Sequence, residues 1–250
     1  PHVPSVAVSS EDIEMVTITC ALSLVPTSPG LDTPRPTIDT RASARRRAGG
    51  LGSRSPSGPL TGFDNPATAA STIVGHTTIS NPSWSSILTG AWGEKTGVIN
   101  NVFTPWTYSK WPTVFTQLET LNSAIETTSI ANWNVISAIA ASGLGVDNLV
   151  NVPEQENDPR WLEADDLVGE YTEAAIAAAS ADVANLIFSY FVGVDEVGHM
   201  YGGASQQYKD ALLNFDRNLG EIMADVAAWE AANPGETWTV IMVTDHGHQP

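Results

Sequence analysis

The sequence predicts an α/β domain with a central, mostly parallel sheet and helices on both faces. Segments with helical spacing alternate along the chain with short apolar segments, a pattern typical of βα units. The short segments are near-continuous apolar runs, as expected for strands that are buried on both faces. With 250 residues, 42% of them hydrophobic, the chain is long enough to form one sizeable core.

The N-terminal part is predicted to be irregular. Residues 15–26, MVTITCALSLVP, suggest a short buried strand. Residues 27–72 are rich in Pro, Gly, Ser, Thr, Ala and Arg and show no apolar period, so they are predicted to be loop or disordered. We therefore divide the chain into an atypical, largely loop or disordered segment, residues 1–72, and a folded domain, residues 73–250.

The folded domain begins with a predicted strand, STIVGHTTIS, followed by a loop and a short helix in NPSWSSILTGAWG. In residues 111–122, Val114, Leu118 and Leu121 are spaced helically and Pro112 suits a first turn. Apolar spacing also predicts helices at 167–182 and 204–231. Strands are predicted at 129–139, 185–194 and 237–243.

Composition excludes several classes of protein. The net charge of −17, all of it within residues 80–250, argues against binding to a nucleic-acid polymer, which requires a basic face. Cys20 is the only cysteine, so neither an intrachain disulfide nor a cysteine-based zinc site is expected. No apolar run approaches the ~20 residues of a membrane span, and no basic signal-peptide region is visible. The compartment stays unknown.

Aspartate and histidine follow two predicted strands. Asp195 and His199 come after the apolar strand that begins at residue 185, and Asp245 and His246 come directly after the last strand. Because parallel strands deliver their carboxyl ends to one edge of the sheet, the two pairs are expected to converge there. Asp and His ligands suit zinc, manganese or iron better than magnesium or calcium. One such pair alone is more often a loop hydrogen bond, but two pairs favour a metal site.

Ser80 follows the strand predicted at the start of the folded domain and precedes a predicted helix. A serine at that point is most often a helix N-cap. The N-terminus of a helix also attracts phosphate, and a hydroxyl there can be a nucleophile if a metal ion activates it.

Three motifs together resemble a known family. DEVGH, the later TDHGH and the upstream SNPSWSSILTGAWGEKTGVINN are similar in order and spacing to the type I phosphodiesterase/nucleotide pyrophosphatase family of the alkaline phosphatase superfamily. The resemblance covers about residues 73–250 and implies an alkaline-phosphatase-like fold. It also implies a metal-dependent hydrolase of small-molecule phosphate esters, most directly of nucleotide phosphodiester or pyrophosphate bonds.

The resemblance implies a role for each matching residue. Asp195 and His199 would bind one zinc ion, and Asp245 and His246 would bind a second zinc ion together with Ser80. Ser80 would be the nucleophile, although the family usually has Thr there. Asn101, at the end of TGVINN, matches the asparagine that donates to a phosphate oxygen. Two divalent metal ions, Zn²⁺ by this comparison, are the expected cofactors.

The chain also departs from the family pattern. The family has an early metal-binding aspartate, for which Asp39 lies in an unsuitable context, and a late metal-binding histidine, for which only His248 is left over. We therefore expect a member with an altered N-terminal segment and an incomplete C-terminal part. A phosphomonoesterase of the same superfamily and a catalytically impaired fragment stay open. A sulfatase is disfavoured because Trp84 stands where its motif needs Arg. Trp84 and Trp106 either line a base-stacking slot or, more simply, belong to the core.

Overall fold

The computed structural model describes residues 19–24 and 79–247. Within these ranges the strands are β1 Thr19–Leu24, β2 Glu126–Ala131, β3 Asn148–Asn151, β4 Asn185–Tyr190 and β5 Trp238–Val243. The helices are α1 Ser80–Thr89, α2 Gly93–Thr96, α3 Pro105–Lys110, α4 Val114–Leu121, α5 Asn134–Ala140, α6 Leu162–Ala178, α7 Gly193–Tyr201 and α8 Gln206–Ala232.

The strands form one sheet in the order β3-β2-β4-β1-β5. β2 is parallel to both β3 and β4, whereas β1 is antiparallel to both β4 and β5. β4 and β5 therefore run in the same direction, and every strand except β1 points its carboxyl end to the same edge of the sheet. The predicted mostly parallel sheet is confirmed.

Helices cover both faces of the sheet, and successive side chains of β4 point alternately to one face and the other. On one face, Ile187 packs with apolar residues of α6, α7 and α8. On the other face, Phe188 and Tyr190 pack with α1, α4 and α5. Trp84 of α1 is fully buried and meets Phe188 and Tyr190 edge-on, with ring centroids 6.0 and 5.4 Å apart. The α/β fold with helices on both faces is thus shown.

Several predicted elements are confirmed with shifted ends. The helices predicted at 167–182 and 204–231 are α6 and α8, and the strand predicted at 237–243 is β5. The helix predicted within 111–122 is α4, which begins after Thr113, whose hydroxyl accepts from the Thr116 N–H. The strand predicted within 15–26 is β1, which is hydrogen-bonded on both sides.

Two strand predictions were too long. The strand predicted at 129–139 ends at Ala131, and residues from Asn134 onwards form α5. Ile136 and Ile139, three residues apart, are both fully buried, so packing at helical spacing overrides the strand preference of β-branched residues. The strand predicted at 185–194 ends at Tyr190, and α7 begins at Gly193.

Some sequence predictions lie outside the described residues. They concern the irregular segment 27–72 with Asp39, the start of the strand predicted before Ser80, and His248. Among the helices that the structure describes, none is both long and apolar enough to cross a membrane.

Candidate active site

Four of the predicted site residues follow β4 and β5, which end at the same edge of the sheet with β1 between them. Thr19 of β1 lies opposite both Tyr190 at the end of β4 and Val243 at the end of β5. Chain segments that leave β4 and β5 therefore start about two strand spacings apart. The first leads into α7, and the second leads to Asp245 and His246.

Asp195 and His199 lie on α7 rather than in a loop. Asp195 is in the first turn of the helix, and the spacing of four residues places His199 on the same face. His199 Nε2 is 3.6 Å from Asp195 Oδ1. The Asp195 side chain is 9% exposed and that of His199 is 62% exposed, so the pair extends from the buried edge of the sheet to solvent.

His246 lies at the centre of the predicted site. Its Nε2 is 3.1 Å from Ser80 Oγ, 3.4 Å from Asp245 Oδ2 and 3.9 Å from Asp195 Oδ1. Its Nδ1 is 3.1 Å from the carbonyl oxygen of Gly247. Because a carbonyl can only accept, Nδ1 carries the proton in a neutral ring and Nε2 is the acceptor. The Ser80 hydroxyl therefore donates to His246 Nε2.

Ser80 is the first residue of α1, and the next residue ties a loop to this helix end. The Asn81 N–H donates to Asn101 Oδ1 at 2.9 Å. The Asn81 side chain donates to the carbonyl oxygens of Asn100 and Val102, both at 2.9 Å. The structure thus places Asn101 beside Ser80, although they are 21 residues apart in sequence. Because Oδ1 of Asn101 is the accepting atom, Nδ2 is the end of that amide that can donate to a ligand.

The side chains at this edge of the sheet are of the types that bind divalent cations. Asp195, Asp245 and His246 are 6%, 3% and 7% exposed, and Asp195 Oδ1 accepts no hydrogen bond within the described part of the chain. A buried carboxylate oxygen in this position is costly unless a cation or donor compensates it. Carboxylate oxygens with imidazole nitrogens are ligands that zinc takes. Within residues 19–24 and 79–247, however, no three His, Cys, Asp or Glu side chains are arranged to hold one metal ion.

The surroundings of this site carry negative potential. Burial raises the pKa of the Tyr190 phenol well above its ordinary value, and the carboxylates of Asp245 and Asp195 raise it further. Burial also raises the pKa of Glu196, which follows Asp195 on α7, and the Asp195 carboxylate raises it further. Burial is the larger cause of both shifts, and the part that comes from the neighbouring carboxylates is the part that indicates negative potential at this end of the sheet.

Comparison with protein families gives one match over most of the chain. Residues 67–250 match the model of the type I phosphodiesterase/nucleotide pyrophosphatase family. The chain belongs to this family. As a type I phosphodiesterase/nucleotide pyrophosphatase family member, it is a hydrolase of phosphate esters. No curated protein matched the chain.

The two tryptophans considered for a base-stacking slot have different environments. Trp84 is fully buried and belongs to the core, in line with the simpler interpretation. Trp106 is 60% exposed, and its ring lies against Gly97. The two rings therefore do not face one slot, and only Trp106 is accessible to a ligand.

Two polar residues near the site were missed by sequence reasoning. Asn81 anchors the loop that carries Asn101, and Asp165 of α6 accepts hydrogen bonds from the start of α7. Burial raises the pKa of Asp165 to about 7, whereas the bonds from Asn132, Val192 and Gly193 lower it. No sequence signal distinguished Asp165, because it precedes the helix predicted at 167–182 and lies beside two other acidic residues, Glu163 and Asp166.

Proposed function

We propose that the chain hydrolyses nucleotide phosphodiester or pyrophosphate bonds, with Ser80 as the nucleophile and two zinc ions as cofactors. The observation that carries the proposal is the convergence of Ser80, Asp195 and Asp245 on His246 Nε2, at distances of 3.1 to 3.9 Å. These residues come from α1, α7 and the loop after β5, and they lie in the three sequence motifs that resemble the family whose model matches residues 67–250.

Two sets of side chains would hold the ions. Asp195 and His199 would bind one, and Asp245, His246 and Ser80 would bind the other. His246 suits this role because its Nδ1–H donates to the Gly247 carbonyl, the kind of outer contact that fixes the tautomer of a metal-binding histidine. Bound cations of this kind lower the pKa of a hydroxyl and neutralise charge on the phosphoryl group.

The chain's own residues prepare Ser80 for attack on phosphorus. The 3.1 Å contact between Ser80 Oγ and His246 Nε2 places the hydroxyl at the nitrogen through which His246 would bind the ion, so the donated proton would be displaced by a bound ion and would pass to solvent. The position of Ser80 at the first turn of α1 supplies positive potential from the helix N-terminus, which favours an approaching phosphate. Asn101 Nδ2 would donate to a non-bridging phosphate oxygen, because its Oδ1 is held by Asn81.

A substrate comparison with a metal assay tests the proposal. The protein is dialysed against buffer without metal, its zinc content is measured, and zinc is then added back. Turnover of p-nitrophenyl thymidine monophosphate, a diester, is compared with turnover of p-nitrophenyl phosphate, a monoester. We expect about two zinc ions per chain and a higher kcat/KM for the diester.

Each other outcome identifies an alternative. Preference for the monoester would favour a phosphomonoesterase with the same residues. Less than one zinc ion per chain, together with no turnover of either substrate, would contradict the proposal and favour a catalytically impaired fragment.

A further inference from the structure

Asp165 is a buried carboxylate that binds the start of another helix. It is fully buried on α6. Its Oδ1 accepts from Asn132 Nδ2 at 2.9 Å, from Val192 N at 3.0 Å and from Gly193 N at 3.2 Å. Its Oδ2 accepts a further bond from Gly193 N at 3.0 Å. One carboxylate thus takes four hydrogen bonds, three of them from the backbone that opens α7.

α7 has no capping side chain of its own. Its N-cap residue is Val192, whose side chain cannot accept a hydrogen bond. The first N–H groups of a helix require acceptors from outside the helix, and an anion at this end also interacts favourably with the helix dipole. Asp165 therefore replaces the missing cap from a neighbouring helix.

The cap lies next to the site. Asp195 follows Gly193 by two residues and is in the first turn of α7, and His199 lies one turn further on. A change in where α7 begins would move both side chains together. We propose that Asp165 is a positioning residue, which holds the start of α7 so that Asp195 and His199 can bind a metal ion. The inference rests on the proposed function, since it concerns one of the two ion sites named there.

Gly193 shows how closely Asp165 approaches the helix. Its φ is not in the left-handed region, so glycine is not required by backbone conformation. A Cβ at this position would instead collide with Asp165 Oδ2 and would lie 3.1 Å from Asp165 Cγ. Glycine at position 193 is therefore explained by the close approach of the carboxylate.

Asn132 orients the carboxylate from the other side. It follows β2 directly, is 5% exposed and donates to the same Oδ1 that accepts from α7. The carboxylate thus links the end of β2 to the start of α7, and Asn132 holds it in the orientation that accepts from Val192 and Gly193.

Asp165→Asn is the direct test, and Asp166→Asn is its matched control. The asparagine keeps the size of Asp165 but turns one of its acceptor atoms into a donor that faces N–H groups, which weakens the cap. Asp166 is the next residue on α6, and its carboxylate accepts from Asn214, Arg217 and Asn218 of α8 instead. The control thus removes a neighbouring hydrogen-bonded carboxylate whose bonds go to α8 and not to the start of α7.

Two readouts separate positioning from a merely structural role. Zinc binding to the full chain is titrated against a chromogenic chelator, and amide hydrogen exchange is measured without metal. In Asp165→Asn we expect one of the two zinc ions to bind about 10- to 100-fold more weakly and the Val192 and Gly193 amides to exchange faster. The second ion, bound through residues outside α7, keeps its affinity. Asp166→Asn leaves zinc binding and these amides unchanged.

Gly193→Ala gives an independent variant in case Asp165→Asn folds poorly. The added methyl pushes the carboxylate away from α7, so the same zinc ion should be weakened. In an Asp165→Ala background the closest contacts of the methyl are gone and only the Trp161 carbonyl oxygen, at 3.3 Å, stays near it, so Gly193→Ala should then change zinc affinity much less. This non-additivity is the expected signature of two groups in contact.

The outcomes distinguish this inference from the proposed function. The inference would be overturned if Asp165→Asn bound both zinc ions with the affinities of the unmodified chain and the Val192 and Gly193 amides exchanged no faster. It would also be overturned if the effects of Gly193→Ala and Asp165→Ala on zinc affinity were additive. If the unmodified chain binds no zinc, the proposed function fails. Faster amide exchange in Asp165→Asn then still supports the cap on α7, and unchanged exchange overturns it.

Discussion

The two ends of the Asn101 amide have different roles in the proposed function. Its Oδ1 accepts from the Asn81 N–H, which leaves Nδ2 as the donor for a phosphate oxygen. Asn101→Asp keeps the acceptor for Asn81 and replaces the donor with a negatively charged oxygen. We expect kcat/KM for the diester to fall about 10²- to 10³-fold, as when one oxyanion donor is removed, with little change in melting temperature.

Asn100→Asp is the control for this substitution. Asn100 Oδ1 accepts from the Val102 N–H at 2.9 Å, a role that aspartate retains, so the control adds the same charge one residue away. Steady-state kinetics should show a much smaller loss than for Asn101→Asp. Equal losses in the two variants would mean that charge alone, rather than donation by Asn101, controls the rate.

Among the elements, α6 and α8 contain two glycines with opposite surroundings. A Cβ at Gly169 of α6 would collide with Asn218 Oδ1 of α8, whereas a Cβ at Gly220 of α8 would meet no atom within 4 Å. We expect Gly169→Ala to reduce the free energy of unfolding by about 1 to 3 kcal/mol through overpacking. Gly220→Ala should raise it by about 0.5 to 1 kcal/mol, because alanine restricts the unfolded chain and favours helix.

Urea unfolding of both variants measures these changes. The two substitutions are chemically identical and both lie inside long helices, so helix propensity cancels in the comparison. Stabilisation by Gly169→Ala would contradict the close packing of α6 on α8.

The start of α7 shows where sequence reasoning failed for an element. The sequence suggested a strand up to residue 194 and, after it, a loop with Asp195, Gly198 and His199. The structure has a helix there because Val194 and Val197 are buried on one side and because Asp165 caps the first turn. The cap comes from a residue 27 positions earlier in the chain, and no local pattern could indicate that contact.

For the whole molecule, the sequence predicted the residues of the site better than the order and direction of the strands that carry them. The alternation of elements indicated which strands end at one edge, so the proximity of Asp195 and His246 could be predicted. Only the family motifs indicated that Ser80 and Asn101 belong to the same site. The antiparallel placement of β1 between β4 and β5 could not be predicted, because strand order and direction depend on long-range pairing that one strand's composition does not encode.

The pH dependence of stability is a prediction for the whole fold. Burial raises the pKa of Asp165 from 3.8 to about 7, and Asp166 also raises it. The folded chain therefore holds a proton that the unfolded chain releases, so this group lowers the free energy of unfolding as pH rises from about 4 to 7. In buffer with a metal chelator, Asp165→Asn should become more stable relative to the unmodified chain by roughly 2 to 3 kcal/mol between pH 5 and pH 8.

Urea unfolding at the two pH values gives this difference directly. Asp166→Asn again serves as the control, because it keeps the buried Asp165 carboxylate and removes only the smaller of the two causes that raise the pKa of Asp165, so its pH dependence should stay close to that of the unmodified chain. A difference between Asp165→Asn and the unmodified chain that stays constant from pH 5 to pH 8 would show that Asp165 titrates alike in the folded and unfolded chains.

Turnover by Ser80→Ala, measured together with its zinc content, tests the central claim most directly. Ser86→Ala is the matched control, since Ser86 is also half-buried on α1 and its hydroxyl donates to the Pro82 carbonyl instead. We predict that Ser80→Ala lowers kcat/KM for p-nitrophenyl thymidine monophosphate at least about 10³-fold and still binds zinc through Asp195 and His199, while Ser86→Ala keeps its activity. Turnover by Ser80→Ala at a rate close to that of the unmodified chain would contradict the assignment of the nucleophile.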